Sequence, residues 1–112
     1  RKGGIWFLSI CNETRKKIED LEKYNRPLLC TEYLARGQEN TFQNMLPLFK
    51  ERGIKAINWG FVAGKTNTVF PWSSWQEEFD SLPEVWHHDI YLPDKTPFDQ
   101  KEIDFLKEIL IN

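Results

Sequence analysis

The residue with the clearest chemical potential is Glu32, which follows the apolar run PLLCT at positions 27–31. A run that is apolar on both faces is typical of a strand in a covered parallel sheet, and ligands of such sheets bind beyond the carboxyl ends of the strands. A carboxylate at a strand exit can act as a nucleophile or as a general acid or base. It can also pair with an arginine or cap a helix, and spacing alone leaves both alternatives open.

Trp59 is the second candidate, because it ends the apolar run IKAIN at the exit of another predicted strand. If the two strands are neighbours, Glu32 and Trp59 emerge at the same end of the sheet. A carboxylate beside an indole is typical of a sugar site, where the apolar face of the sugar stacks on the ring and the carboxylate acts at the anomeric carbon. The alternative is that Trp59 belongs to the hydrophobic core.

Other kinds of site are weakly supported. His87, His88 and Asp89 offer metal ligands, but adjacent residues on a strand point to opposite faces, so the two histidines should not share an ion. Cys11 and Cys30 lie in apolar contexts and are predicted to be buried free thiols. No serine, cysteine or histidine pattern indicates a nucleophile with its base, and no glycine-rich loop fits a phosphate. We therefore predict no metal and no cofactor.

The elements that must position these residues alternate between strand and helix. We predict strands at 4–11, 27–32 and 54–61, and helices at 13–24, 41–53 and 99–111, with a capping box of Asp99 and Glu102 on the last helix. Asn40 or Thr41 should cap the second helix and Gly53 should end it. The segment from 62 to 98 is predicted to be a long loop with a short strand at 85–92. This order is that of an α/β fold with parallel strands.

Length and charge limit the classes of function. With 112 residues the chain suits one domain, and 15 basic against 17 acidic side chains give a formal charge of −2 without a basic stripe. Nucleic acid is therefore not an expected partner. No apolar run is long enough to cross a membrane, and the Arg-Lys-Gly-Gly start lacks the apolar stretch of a signal peptide. The cellular location is left open, because a parent enzyme of the kind considered below could be secreted or periplasmic.

Three segments taken together resemble a known family. RPLLCTEYLAR, INWGFVAGKTNTVFPW and VWHHDIYLPDKTPFD, in this order, resemble the C-terminal part of a bacterial (β/α)8-barrel glycoside hydrolase of the retaining clan that contains cellulase-like and xylanase-like enzymes. The resemblance covers roughly residues 26–105. It implies that LLCTE is the seventh barrel strand and AINWG the eighth, with Glu32 as the nucleophile and Trp59 as the floor of the sugar subsite. Lys65, Trp72 and Trp75 would then line the substrate cleft.

The resemblance also implies what this chain lacks. The general acid/base of that clan is a second glutamate after the fourth strand, and no such residue stands at a predicted strand exit here. The sixth strand usually ends in histidine or tyrosine, whereas this chain has FLSICNE. We therefore expect a partial barrel of about three βα units, a C-terminal fragment that binds a β-linked oligosaccharide or polysaccharide but is inactive alone.

Two alternatives involve no catalysis. Open strand edges could make the chain a structural module that self-associates into a homo-oligomer. The chain could also be a carbohydrate-binding remnant that uses its tryptophans without hydrolysis.

Overall fold

The computed structural model describes residues 5–7 and 11–111 and confirms an α/β fold with a parallel sheet. The sheet has three parallel strands in the order β1-β2-β3, and its central strand pairs with both neighbours. The strands and helices, in chain order, are β1 (Ile5–Phe7), α1 (Cys11–Glu22), β2 (Leu29–Glu32), α2 (Phe42–Arg52), β3 (Lys55–Ala56) and α3 (Gln100–Ile111). Short 3₁₀ turns lie at Arg36–Gln38 and Trp72–Trp75. In the described part of the chain no helix has the length and apolar character needed to cross a bilayer.

The predicted start of the chain needs a correction. Cys11 is the first residue of α1 and does not belong to a strand, and Asn12 lies inside that helix. The polar, charge-rich sequence that follows favours helix, and the helix extends back to Cys11. Ser9, which the predicted strand at 4–11 also includes, lies outside the described residues.

The third strand is also shorter than predicted. β3 ends at Ala56, although the Ile57 amide still donates to the carbonyl of Cys30 at 2.9 Å. The side chain of Asn58 then donates to the carbonyls of Gly60 and His88, at 2.5 and 3.2 Å. These bonds direct the backbone away from the sheet before the predicted end at residue 61.

The predicted strand at 85–92 is wrong. Within 85–92, only Tyr91 forms β-bridges, one with Val62 and one with Pro97. The amides of His87 and His88 instead donate to the carbonyls of residues 69 and 68, which holds the segment against the loop that precedes it. The long segment 62–98 is thus ordered by local backbone bonds and side-chain contacts without forming a regular strand.

The predicted ends of α2 are confirmed, with Thr41 as the N-cap and Gly53 as the C-cap. The Thr41 hydroxyl accepts from the Asn44 amide at 3.3 Å, and the Asn44 side chain accepts from the Thr41 amide at 2.9 Å. Gly53 ends the helix with φ of 66°, a conformation that glycine adopts without steric cost.

The main hydrophobic core lies between the sheet and the helices. Tyr33 packs edge-on against the rings of Phe42 and Phe49, with centroids 6.0 and 5.6 Å away. The other buried members of this core are Ile18, Leu28, Cys30, Leu34, Met45, Leu48, Ile54, Ile90 and Ile103. Cys30 is a buried free thiol as predicted, and burial raises its pKa to about 12. A smaller cluster of Ala63, Val69 and Trp86 lies under the long loop.

A buried ion pair joins α3 to the end of β2. Arg36 donates from Nε and Nη2 to both carboxylate oxygens of Glu102, at 2.8 and 2.6 Å, and both side chains are almost fully buried. Its Nη1 donates to the carbonyls of Trp86 and Asp89, each at 2.9 Å. Part of the predicted capping box is present, because the Asp99 carboxylate accepts from the amide of Lys101 at 2.9 Å at the start of α3. The carboxylate of Glu102, the other predicted member, is bound by Arg36.

Replacing Arg36 by methionine should strongly destabilise the fold. The change leaves the buried Glu102 carboxylate without its cation, and breaking such a pair typically costs about 3–5 kcal/mol. Urea unfolding should show this as a large fall in the free energy of unfolding.

Arg52→Met is the matched control. Arg52 pairs with Glu19 and Glu22 at a partly exposed position, where loss of a pair costs about 1 kcal/mol or less. A second comparison is Arg36→Met combined with Glu102→Leu, which should recover part of the loss because no buried charge is then unpaired. Equal effects of the Arg36 and Arg52 changes would contradict the role assigned to the buried pair.

Candidate functional site at the carboxyl end of the second strand

Glu32 is the last residue of β2 and is largely buried, with 8% of its surface exposed. Its Oε1 lies 3.4 Å from Nε2 of His88, and this oxygen accepts no hydrogen bond from any described residue. Burial raises the pKa of Glu32, and the nearby His88 ring acts in the opposite direction. The carboxylate is therefore placed where its protonation depends on one neighbouring side chain.

His88 is the centre of a cluster of rings around Glu32. Its Nδ1 lies 2.5 Å from the carbonyl oxygen of Leu34, which fixes one edge of the imidazole. The ring centroid lies 4.5 Å from that of His87 and 5.9 Å from that of Trp59. Sequence reasoning missed this contact between Glu32 and His88, which are 56 positions apart in the chain. Only the length of the loop that joins β3 to this segment hinted that it returns to the sheet.

Trp59 is not a core residue. The residue is 53% exposed, while the indole Nε1 donates to the carbonyl of Thr31 at 2.7 Å. One edge of the indole is thus held by the backbone next to Glu32, and about half of the residue is accessible to solvent. A fixed indole with an open face is well suited to stacking against an apolar ligand surface.

An open groove of about 650 Å³ extends from this cluster along the long loop. Trp59, Trp72, Trp75 and His88 contribute to its wall. The other residues of the wall are Thr66, Asn67, Thr68, Phe70, Pro71, Ser74, Glu77, Glu78, Phe79 and Asp80. The structure therefore brings three of the predicted substrate-binding residues to one surface. Lys65 is exposed and does not contribute to the wall of the groove.

The arrangement of the side chains in His87-His88-Asp89 differs from the one that alternation along a strand predicts. Since the segment is not a strand, the two imidazoles are neighbours and do not point to opposite faces. The Asp89 carboxylate accepts from the Thr68 hydroxyl through both oxygens at 2.9 Å. Within residues 5–7 and 11–111, no group of three or more histidine, cysteine or acidic side chains is arranged to hold a metal ion.

Gly60 allows the chain to pass close to this segment. A Cβ atom there would lie 2.4 Å from Oδ1 of Asp89 and 2.8 Å from its amide nitrogen, closer than real Cβ contacts. The glycine of the INWG sequence is therefore required for steric reasons. It lets the backbone beside Trp59 approach the backbone beside His88.

Comparison with known proteins does not assign this chain to a family. No family model, no curated protein and no solved structure matches it. The resemblance to glycoside hydrolases thus depends on the sequence segments quoted above, and the function that it implies is treated as a proposal.

His87 should make the stability of the fold depend on pH. The ring is 1% exposed, neither nitrogen has a hydrogen-bond partner among the described residues, and burial, with His88 and Arg36, lowers its pKa from 6.5 to about 4. Between these two values the unfolded chain binds a proton that the folded chain does not. The free energy of unfolding should therefore fall as the pH falls from 6.5 towards 4, by about 3 kcal/mol for a shift of this size.

His87→Leu isolates this contribution. The raised pKa of Glu32 acts in the opposite direction, because the folded chain then takes up its proton first as the pH falls. Only the difference between wild type and variant is therefore diagnostic. Urea unfolding from neutral pH to about pH 4 should show a weaker loss of stability in the variant, and parallel curves would contradict the assignment to His87.

Proposed function

We propose that this chain carries the nucleophile half of a retaining β-glycosidase site that acts on a β-linked oligosaccharide or polysaccharide. The observation that carries the proposal is the position of Glu32 at the exit of β2, in contact with His88. His88 lines the groove together with the indoles of Trp59, Trp72 and Trp75, while Glu32 itself lies behind His88 and is not part of the groove wall. In this proposal Glu32 is the nucleophile and Trp59 is the platform under the sugar that is attacked.

The chemistry is a double displacement. An oxygen of Glu32 attacks the anomeric carbon while the glycosidic bond breaks, and a second carboxylic acid gives its proton to the leaving oxygen. Water, deprotonated by the same second group, then releases the sugar from Glu32. This mechanism requires the second carboxyl group about 5 Å from the first. At the described exits of β2 and β3, Glu32 is the only acid, so the chain as given is proposed to bind substrate without turning it over.

The fold is compatible with this proposal. Three parallel strands in sequential order, joined by helices, are the arrangement expected of consecutive units in a (β/α)8 barrel, whose ligands bind at the carboxyl ends of the strands. We propose that the chain corresponds to the last three units of such a barrel and is a C-terminal fragment of the domain. Glu32 and Trp59 both lie at that end of the sheet.

Binding of a β-linked oligosaccharide should be visible at individual tryptophans. In ¹H–¹⁵N NMR spectra, titration with cello- or xylo-oligosaccharides should shift the indole signals of Trp59, Trp72 and Trp75. The signal of Trp86 should remain in place, because this residue is buried in the smaller cluster and does not line the groove. Trp75→Ala should weaken binding about tenfold, which corresponds to the loss of about 1.4 kcal/mol of stacking.

Phe61→Ala is the matched control, since Phe61 is also an exposed aromatic residue but lies outside the groove. Binding should be unchanged in this variant. Spectra that do not change at millimolar sugar would reject the proposed site. Hydrolysis of an aryl β-glycoside by the 112-residue chain, abolished by Glu32→Gln, would confirm the nucleophile but reject the absence of a second catalytic group.

A second candidate function is self-association, and the edge of the sheet supports it. Among the described strands β3 pairs only with β2, and three exposed apolar side chains follow it closely in sequence: Ile57, Phe61 and Val62. An unpaired strand edge beside apolar side chains is a template for pairing with another chain. We propose that a second copy of this chain can pair along this edge.

Sedimentation tests this second candidate. The chain should form a dimer, and Ile57→Lys should raise the dimer dissociation constant at least about tenfold, because a charge on an edge strand disfavours pairing. Leu110→Lys, at a more exposed apolar position on α3, should leave the dimer intact. A chain that is monomeric at every concentration would exclude edge pairing.

A further inference from the structure

Glu32 and His88 form a pair whose protonation is constrained by a third group, the carbonyl of Leu34. Nδ1 of His88 lies 2.5 Å from this oxygen, and a carbonyl oxygen can only accept a hydrogen bond. Nδ1 must therefore carry a hydrogen in the neutral ring as well as in the charged ring. Of the two neutral tautomers, only the one with a lone pair on Nε2 is compatible with this contact.

This restriction on the His88 tautomer affects Glu32. Nε2 lies 3.4 Å from Oε1, so an ionised carboxylate and a neutral imidazole would place two lone pairs against each other in a buried site. One proton between the two groups removes this conflict. It lies either on Nε2, giving an imidazolium beside a carboxylate, or on Oε1, giving a carboxylic acid beside a neutral ring.

We propose that His88 is the positioning residue of Glu32 and that the two side chains share a single proton. This inference deepens the proposed function and rests on it, since the pairing matters for catalysis only if Glu32 is the nucleophile. The imidazolium form holds Oε1 in place and keeps the carboxylate ionised, which leaves Oε2 to react with a sugar. When Oε2 becomes esterified the negative charge is lost, and the proton on His88 is no longer stabilised there.

The groups around Glu32 and His88 leave the shared proton to these two side chains. His87 packs against His88 from the same segment and remains neutral above about pH 4. The thiol of Cys30 on β2, which donates to the backbone oxygen of Glu32, is protonated at neutral pH. The Asp89 carboxylate accepts hydrogen bonds from Thr68, and the Arg36 guanidinium is bound by Glu102. The proton of the pair is therefore governed mainly by its own two members.

The first test needs no variant. The ¹⁵N signals of the His88 ring should show the neutral tautomer with hydrogen on Nδ1 at high pH. The ¹³C signal of the Glu32 carboxyl and the His88 ring should respond to the same transitions, as coupled groups do. A neutral ring with hydrogen on Nε2, or a His88 titration with no response at Glu32, would overturn the proposal.

Two substitutions of His88 then test the roles of its two ring nitrogens separately. The amide of His88→Asn can replace the donor to Leu34 but leaves nothing beside Oε1, so the ¹³C titration of Glu32 should move to higher pH. The amide of His88→Gln can reach the position of Nε2 and should move it less. His87→Asn is the control and should leave the Glu32 titration in place. An unchanged Glu32 titration in His88→Asn would overturn the proposal.

These measurements are made without sugar, so their outcome is independent of the binding experiment. Shared titration without oligosaccharide binding would keep the proton pair and reject its catalytic role. Binding without shared titration would keep the proposed site and reject His88 as the positioning residue.

Discussion

The guanidinium of Arg36 joins parts of the chain that are far apart in sequence. It makes four hydrogen bonds, two to the carboxylate of Glu102 on α3 and two to the carbonyls of Trp86 and Asp89, and it lies 4.3 Å from the ring centroid of Phe98. A buried charge is tolerated only when its partners satisfy it, and here they do so completely enough to hold both side chains out of water. Because the two carbonyls flank the pair of histidines, the position of His88 beside Glu32 depends on this cation.

This dependence explains how a long segment without regular strands can form one wall of a site. Residues 62–98 contribute few buried apolar side chains, and in the described part of the chain the smaller cluster has three buried members. Order comes instead from polar contacts such as those of Thr68 with Asp89 and of Asn58 with the His88 carbonyl. Fully satisfied polar contacts of this kind make a buried segment rigid and favour one arrangement of it.

Sequence reasoning succeeded where the signals are local. Alternation of apolar runs and amphipathic segments predicted the α/β order, and Thr41 and Gly53 marked the ends of α2. It failed where the decisive partner is distant, since Arg36 and Glu102 are 66 positions apart and no periodicity connects them. The same limit applies to the site. Strand exits directed attention to Glu32 and Trp59, which the structure places at the same end of the sheet, whereas the assumption of a strand at 85–92 separated two imidazoles that are in contact.

The backbone at the exit of β2 carries much of the geometry of the candidate site. Three of its carbonyls each accept from a different side chain: that of Thr31 from the Trp59 indole, that of Glu32 from the Cys30 thiol, and that of Leu34 from the His88 ring. The Trp59 indole and the His88 imidazole are thus both held by the backbone that carries the Glu32 carboxylate.

For the role of nucleophile that is proposed for Glu32, this arrangement reconciles two conflicting requirements. Burial keeps Glu32 in one position but raises its pKa, whereas a nucleophile must be ionised. A protonated His88 ring, held at Nδ1 by the carbonyl of Leu34, can supply a positive charge beside Glu32 while Glu32 stays buried. In the proposed pair, rigidity and an ionised Glu32 are compatible, because the same short stretch of backbone positions both side chains.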